Sequence, residues 1–245
     1  MESDKVNLLA VDTSTRTGGV AVLKEDTVVA ALEVTTAKTH AQRLMSAIDS
    51  VLRMAELELE SCHAFAVTVG PGSFTGLRIG VSAVKGLAFA TGKPVTGVSS
   101  LDVLASQFPC FPHVICPMLD ARKDQVYTAL YQWHPDGRWD QMVKPSAVDP
   151  KEWLSQITPP CLFVGDGSAV YRALIKDMVG PLAKFVPSYL NTLRPSVVAH
   201  LGLEQIKRGD TCDVALLAPN YIRKSDAEIK LETGQLKVPQ GYGKE

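Results

Sequence analysis

What this chain lacks narrows it first. It has 5 cysteines in 245 residues, at positions 62, 110, 116, 161 and 212, an odd number with no CxxC pair. That excludes a disulfide frame or a zinc knot and fits free thiols in a reducing cytoplasm. No apolar run approaches the ~18 residues a membrane helix needs, so no membrane is expected among its partners. The opening MESDKVNLLAVD is partly acidic with a short apolar run, and does not read as a secretory signal. Neither sign of charge dominates: Lys plus Arg is 25, Asp plus Glu is 26, and the formal net charge is -1. Such a chain does not grip nucleic acid by bulk charge, although membership of an RNA-binding complex stays open. The 5 histidines show no HExxH or HxxxH spacing, and the residue four after His40 is Leu44. No GxSxG elbow surrounds any serine. Neither a metal site nor a catalytic residue is expected.

What is present suits a sizeable core. Hydrophobic residues make up 46%, too many for a disordered chain. Residues 6–11, 20–23 and 28–34 read as three strands broken by polar turns, an antiparallel meander. Residues 40–55 carry Leu44, Ile48, Val51, Leu52 and Ala55 at helical spacing. A strand over 64–69 runs into Gly70-Pro71-Gly72 and a second helix, 75–90, apolar nearly all round. A strand at 95–98 and a helix at 100–107 follow. FPCFPH at 108–113 places two prolines in a short stretch and marks a subdomain boundary. The pattern then restarts with strands at 114–119 and 125–132. Residues 134–150 read as polar and proline-punctuated, 161–164 as a strand, 168–179 and 195–208 as helices. Residues 221–223 read as a last short element, and 224–245 as a loose tail. Apolar strands ending in Asp12 and Asp120, each followed by a turn and a second strand, form a weak internal repeat.

Three loops carry possible chemistry. AVDTSTRTGGVAV at 10–22 offers a carboxylate, hydroxyls and backbone amides. Asp12, Thr13 and Ser14 there suit a metal, water or phosphate, or simply an Asx-type hairpin turn. GPGSFTGLRIG at 70–80 puts Ser73 and Thr75 where a helix N-terminus attracts anions; its glycines equally serve a tight strand-to-helix turn. It is not a P-loop, since no Gly-Lys-Ser/Thr follows. Gly76 and Gly80 stand four apart on one helix face, open to close packing inside the fold or against a partner. The turn in MLDARKDQVYTALY, 118–131, is charged rather than glycine-rich and reads as a solvated tip. FVGDGSAVY, 163–171, is a weaker strand-to-helix signal of the same kind.

AVDTSTRTGGVAVL, GPGSFTGLRIGVSAVKGLAFATGKPVTGVSSLDVLA, MLDARKDQVYTALY, GDGS and LAPNYIR, in that order over residues 6–223, resemble the TsaB (YeaZ) family. SFTGLRIG with the following KGLA is the most specific part, and separates this family from its glycoprotease-like catalytic relative, TsaD.

The resemblance implies an α/β fold like that of actin, Hsp70 and sugar kinases, with two ribonuclease-H-like subdomains around a cleft. Residues 1–108 would be the first, with the dimerisation helices, and 109–223 a smaller second. It implies a non-catalytic partner of TsaD, which holds the metal and performs threonylcarbamoyl transfer from threonylcarbamoyl-AMP to the tRNA adenosine beside the anticodon. TsaE would join as an ATPase, tRNA would bind within the complex, and a homodimer would use the same surface. No intrinsic cofactor is implied; ATP or ADP would be held only at the complex interface. The partner face would lie on helices 40–55 and 75–90, with Leu44, Ile48, Val51, Leu52, Gly76, Gly80, Val84 and Leu87 on it. Gly80→Arg or Val84→Asp would then break assembly and leave the monomer soluble. Asp12, Thr13, Ser14, Ser73 and Thr75 are the residues expected to face a nucleotide, if one binds. Two other readings compete: an actin-fold ATPase or kinase using Asp12, and a peptidase, for which no ligand set or nucleophile–base pair is visible.

Overall fold

In the computed structural model, residues 6–36, 39–157 and 160–223 are described. They form two five-stranded sheets of the same design. The first contains β1 (Asn7–Asp12), β2 (Thr17–Lys24), β3 (Thr27–Thr35), β4 (Ala64–Gly70) and β5 (Val95–Ser99), in the order β3-β2-β1-β4-β5. β1, β2 and β3 are antiparallel neighbours, while β4 and β5 run parallel to β1. The helices α1 (His40–Met54), α2 (Phe74–Thr91) and α3 (Ser100–Ser106) accompany it. The second sheet contains β6 (Val114–Arg122), β7 (Gln125–Trp133), β8 (Trp139–Val148), β9 (Cys161–Val164) and β10 (Ala183–Phe185). Its order, β10-β9-β6-β7-β8, repeats the first with the same directions. With it come α4 (Pro150–Leu154), α5 (Asp166–Val170) and α6 (Arg172–Val179), and then α7 (Pro195–Arg208). The hairpin repeat legible at Asp12 and Asp120 therefore extends to whole sheets.

Burial explains the strand sequences. In β1, Leu8 and Ala10 face a core shared by the two sheets, while Leu9 and Val11 face α1 and α2. Both faces are covered, so the strand reads as one apolar run. β3 lies at the edge and alternates between exposed and half-buried residues. On α1, Leu44, Ile48, Val51 and Leu52 form the stripe that packs on the sheet. The β6–β7 turn holds Lys123 and Asp124 at φ 52° and 55°, the left-handed geometry of a two-residue hairpin loop. Arg122, Lys123 and Asp124 are exposed there, as the charged composition suggests.

Several expectations need correction. The stretch 134–150 contains β8 and α4. β8 is an edge strand whose Gln141, Met142, Val143 and Lys144 are exposed, so no apolar alternation marks it. An edge position also tolerates Pro145. The helix read over 168–179 is two pieces, α5 and α6, and β10 follows it. Residues 221–223 form no regular element. The largest correction concerns the second subdomain, expected over 109–223. α7 packs on β1, β2, β4 and β5, and Gly202 lets it approach so closely that a Cβ there would lie 2.4 Å from that of Ala66. The chain then stays with the first half: Cys212 bridges Val95, Leu217 enters the core beneath α1 and α2, and the Asn220 amide donates to the Val69 carbonyl at 2.7 Å. The tail expected at 224–245 lies outside the described residues.

Candidate functional site

The loop after β1 is sealed by the start of α2. Asp12 is 0% exposed. Its Oδ1 accepts hydrogen bonds from the Ser14 amide at 3.0 Å, the Ser14 hydroxyl at 2.6 Å and the Thr68 hydroxyl at 2.6 Å. Its Oδ2 is buried with no hydrogen-bond partner among the described residues. Burial raises the Asp12 pKa, and the Ser14 and Thr68 hydrogen bonds oppose that only in part. The Thr13 hydroxyl donates to the Gly76 carbonyl at 2.7 Å, and the Ser73 amide donates to the Ser14 carbonyl at 2.7 Å. Three glycines make this fit possible. A Cβ would lie 2.3 Å from the Ser14 carbonyl at Gly72, 2.1 Å from the Thr13 carbonyl at Gly76 and 2.3 Å from Thr13 Oγ1 at Gly80. The glycines of the 70–80 stretch thus serve close packing against 13–14. Gly76 and Gly80 are turned inward and buried in the chain's own packing.

The five residues expected to face a nucleotide therefore divide. Asp12 and Thr13 are buried, and they border a small apolar pocket of about 220 Å³ beneath α1, not the cleft between the halves. Ser73 is exposed at that cleft, a cavity of about 430 Å³, and Ser14 borders it although it is fully buried as well. Ser73 is the cap of α2, its hydroxyl accepting from the Gly76 amide at 3.2 Å. Thr75 is exposed on α2 and is not part of the cleft wall. Arg16, Arg78, Arg122 and Arg223, with Asp120 and Asp166, also line the cleft; sequence reading picks out the loops of Asp120, Arg122 and Asp166 but does not bring these charges together. These come from five separate segments, and no local motif links them.

The expected partner residues also need relocating. Leu44, Ile48, Val51, Leu52, Gly76, Gly80, Val84 and Leu87 are all buried within the chain's own core. Gly80→Arg or Val84→Asp would damage the monomer itself. The outward faces of the same two helices carry a different set. Phe89 is 85% exposed, and Met45 and Met54 are exposed on α1. A Cβ at Gly86 would meet nothing within 4 Å, so the chain's own packing does not call for glycine there.

The topology and the sequence point to one family. A family model described as TsaD: tRNA N6-adenosine threonylcarbamoyltransferase matches residues 33–231. The tRNA threonylcarbamoyladenosine biosynthesis protein TsaB of Bacillus subtilis is 37% identical over 228 residues, 92% of this chain and 97% of that protein. This chain belongs to the TsaB family. The TsaB of Escherichia coli is 29% identical, over 92% of this chain and 98% of its own. The solved structure of YeaZ from Pseudomonas aeruginosa is 28% identical, covers 88% of this chain and 99% of that one, and superposes with a TM-score of 0.74. The TsaB-family fold is the α/β actin/Hsp70/sugar-kinase type, with two sheets of ribonuclease-H-like order. Among the described residues of this TsaB-family chain, no helix is long and apolar enough to cross a membrane.

Proposed function

We propose that this chain is the non-catalytic partner and activator of TsaD in tRNA threonylcarbamoyladenosine synthesis, docking through the outer faces of α1 and α2. Curated relatives covering nearly the whole chain are named for that biosynthesis. The observation that carries the docking role is Phe89, 85% exposed on a helix whose neighbour α1 exposes Met45 and Met54. Exposed side chains of this size on adjoining helices mark an interaction surface when they cluster. Gly86, with open space around it, suits the close approach of a partner helix. Two helices from each partner would form a four-helix bundle burying ~800 Å² a side. TsaD supplies the metal and the chemistry in this scheme, TsaE joins as ATPase, and tRNA binds to the assembly. A homodimer would occupy the same face and so compete with TsaD. ATP or ADP would be held only where the subunits meet. The sealed carboxylate of Asp12 argues against the chain acting alone as an ATPase or kinase, since the group that would bind a metal or water is turned away from the cleft.

The test is co-elution with purified TsaD. Phe89→Asp and Gly86→Arg should each abolish the complex while leaving the thermal melting of the isolated chain within a few degrees of the parent. Undiminished co-elution with both variants would show that the face is wrong.

A further inference from the structure

We propose that the cleft between the two halves seats an RNA backbone, its phosphodiesters held by Arg16, Arg78, Arg122 and Arg223. The inference rests on the proposed role in tRNA modification and assigns to this chain its own contact with the RNA.

Four arginines from four chain segments line one cavity of about 430 Å³. Arg16 comes from the β1–β2 turn, Arg78 from α2, Arg122 from the β6–β7 turn, and Arg223 from the irregular return past α7. The chain as a whole is balanced at -1, so this is local placement and not bulk composition. Among the described residues, two carboxylates, Asp120 and Asp166, line the same cavity. Asp120 pairs with Arg122 at 3.0 Å, yet the Arg122 side chain remains 84% exposed. Asp166 spends one oxygen on the Asp120 amide at 3.0 Å. The Arg16 side chain has no hydrogen bond or ion pair among the described residues. Arg78 donates from its Nε to the Tyr221 hydroxyl at 2.8 Å, with its guanidinium carbon 5.6 Å from the centre of that ring, and its terminal nitrogens have no hydrogen bond among the described residues. Arg223 is held in place by the Ala121 carbonyl at 2.8 Å. All four are arginine, whose planar fork matches phosphate oxygens two at a time.

The geometry favours a polyanion over a single nucleotide. At the deep end of the cleft the Ser14 amide donates to Asp12 and the Ser73 amide to the Ser14 carbonyl, so neither is offered to a terminal phosphate. Charge sits instead on the rims, with Arg16 on one half and Arg122 on the other. Successive phosphodiesters of a strand laid along the mouth would meet guanidiniums from both sides.

The experiment is fluorescence anisotropy of a labelled, unmodified tRNA transcript reading codons that begin with A, titrated with the full chain. Arg16→Glu combined with Arg122→Glu should weaken binding at least about tenfold and reduce the slope of log K against log salt by roughly 1.4–1.8, two phosphate contacts' worth. Arg16→Lys with Arg122→Lys should retain most of the affinity. Millimolar ATP should not displace the tRNA beyond its effect on ionic strength. Absence of tRNA binding by the parent chain at low salt, parent-like binding by the double glutamate variant, or specific displacement by ATP would each overturn the proposal. Co-elution of the double glutamate variant with TsaD is the control. If it persists while RNA binding proves insensitive, the cleft assignment fails and the docking role stands.

Discussion

Asp12 closes an apolar strand, and in sequence it looks like a group offered to solvent or a ligand. The fold takes it inside, fully covered, with three donors on one oxygen and, among the described residues, none on the other. Desolvation raises its pKa above the ordinary carboxylate value, so the folded state favours the protonated form. The sign of the pH dependence follows. The contribution of Asp12 to stability is full below about pH 4, the unfolded value, and is lost as pH rises through the higher folded value. Asp12→Asn removes this titration. Urea unfolding between about pH 4 and pH 8 should give a flatter stability curve for the variant than for the parent; parallel curves would contradict the buried-carboxylate account. The motif around Asp12 was legible as a turn with an Asx-type bond, and that bond is present in the Ser14 amide. Which way the carboxylate would face was not legible, because it depends on α2 closing over residues 13–14 from sixty positions away.

α2 has two faces that obey different rules. Inward, Gly80 lies against Thr13, whose hydroxyl is already committed to the Gly76 carbonyl. Outward, Gly86 meets nothing. Gly80→Ala should cost about 1–3 kcal/mol, because a methyl must displace a tethered group. Gly86→Ala should be neutral or stabilising by up to about 1 kcal/mol, because alanine is the better helix former. Equilibrium denaturation of both variants checks the contrast, and equal losses would erase the distinction between the faces. The helical spacing of Leu44, Ile48, Val51 and Leu52 correctly located a buried stripe. Spacing alone could not say whether the chain's own sheet or a partner buries it, and its own sheet does. Strands covered on both faces, such as β1, announced themselves as apolar runs. The edge strand β8, half wet and containing Pro145, left no such trace.

The whole molecule is two copies of one sheet order joined by a helix that crosses back. α7 lies beside the shared core and covers the first sheet, with Val198, Ala199 and Leu203 buried. Residues 1–108 alone would expose the face of β1, β2 and β4 that α7 covers. That fragment should aggregate or give broad, poorly dispersed NMR spectra, while the full chain should unfold in one transition. A well-dispersed spectrum from 1–108 would show that the two halves are independent. The return of α7 was hidden from sequence because its own helical pattern was plain but its docking site lay more than a hundred residues back.

The role of the molecule is tested most directly by reconstituted threonylcarbamoyl transfer to tRNA with TsaD, TsaE and threonylcarbamoyl-AMP. Adding this chain should raise the rate of adenosine modification at least about tenfold, about 1.4 kcal/mol or more off the barrier, and Phe89→Asp should return it to the level without the chain. Equal rates with the parent chain, with Phe89→Asp and with no addition would contradict the account.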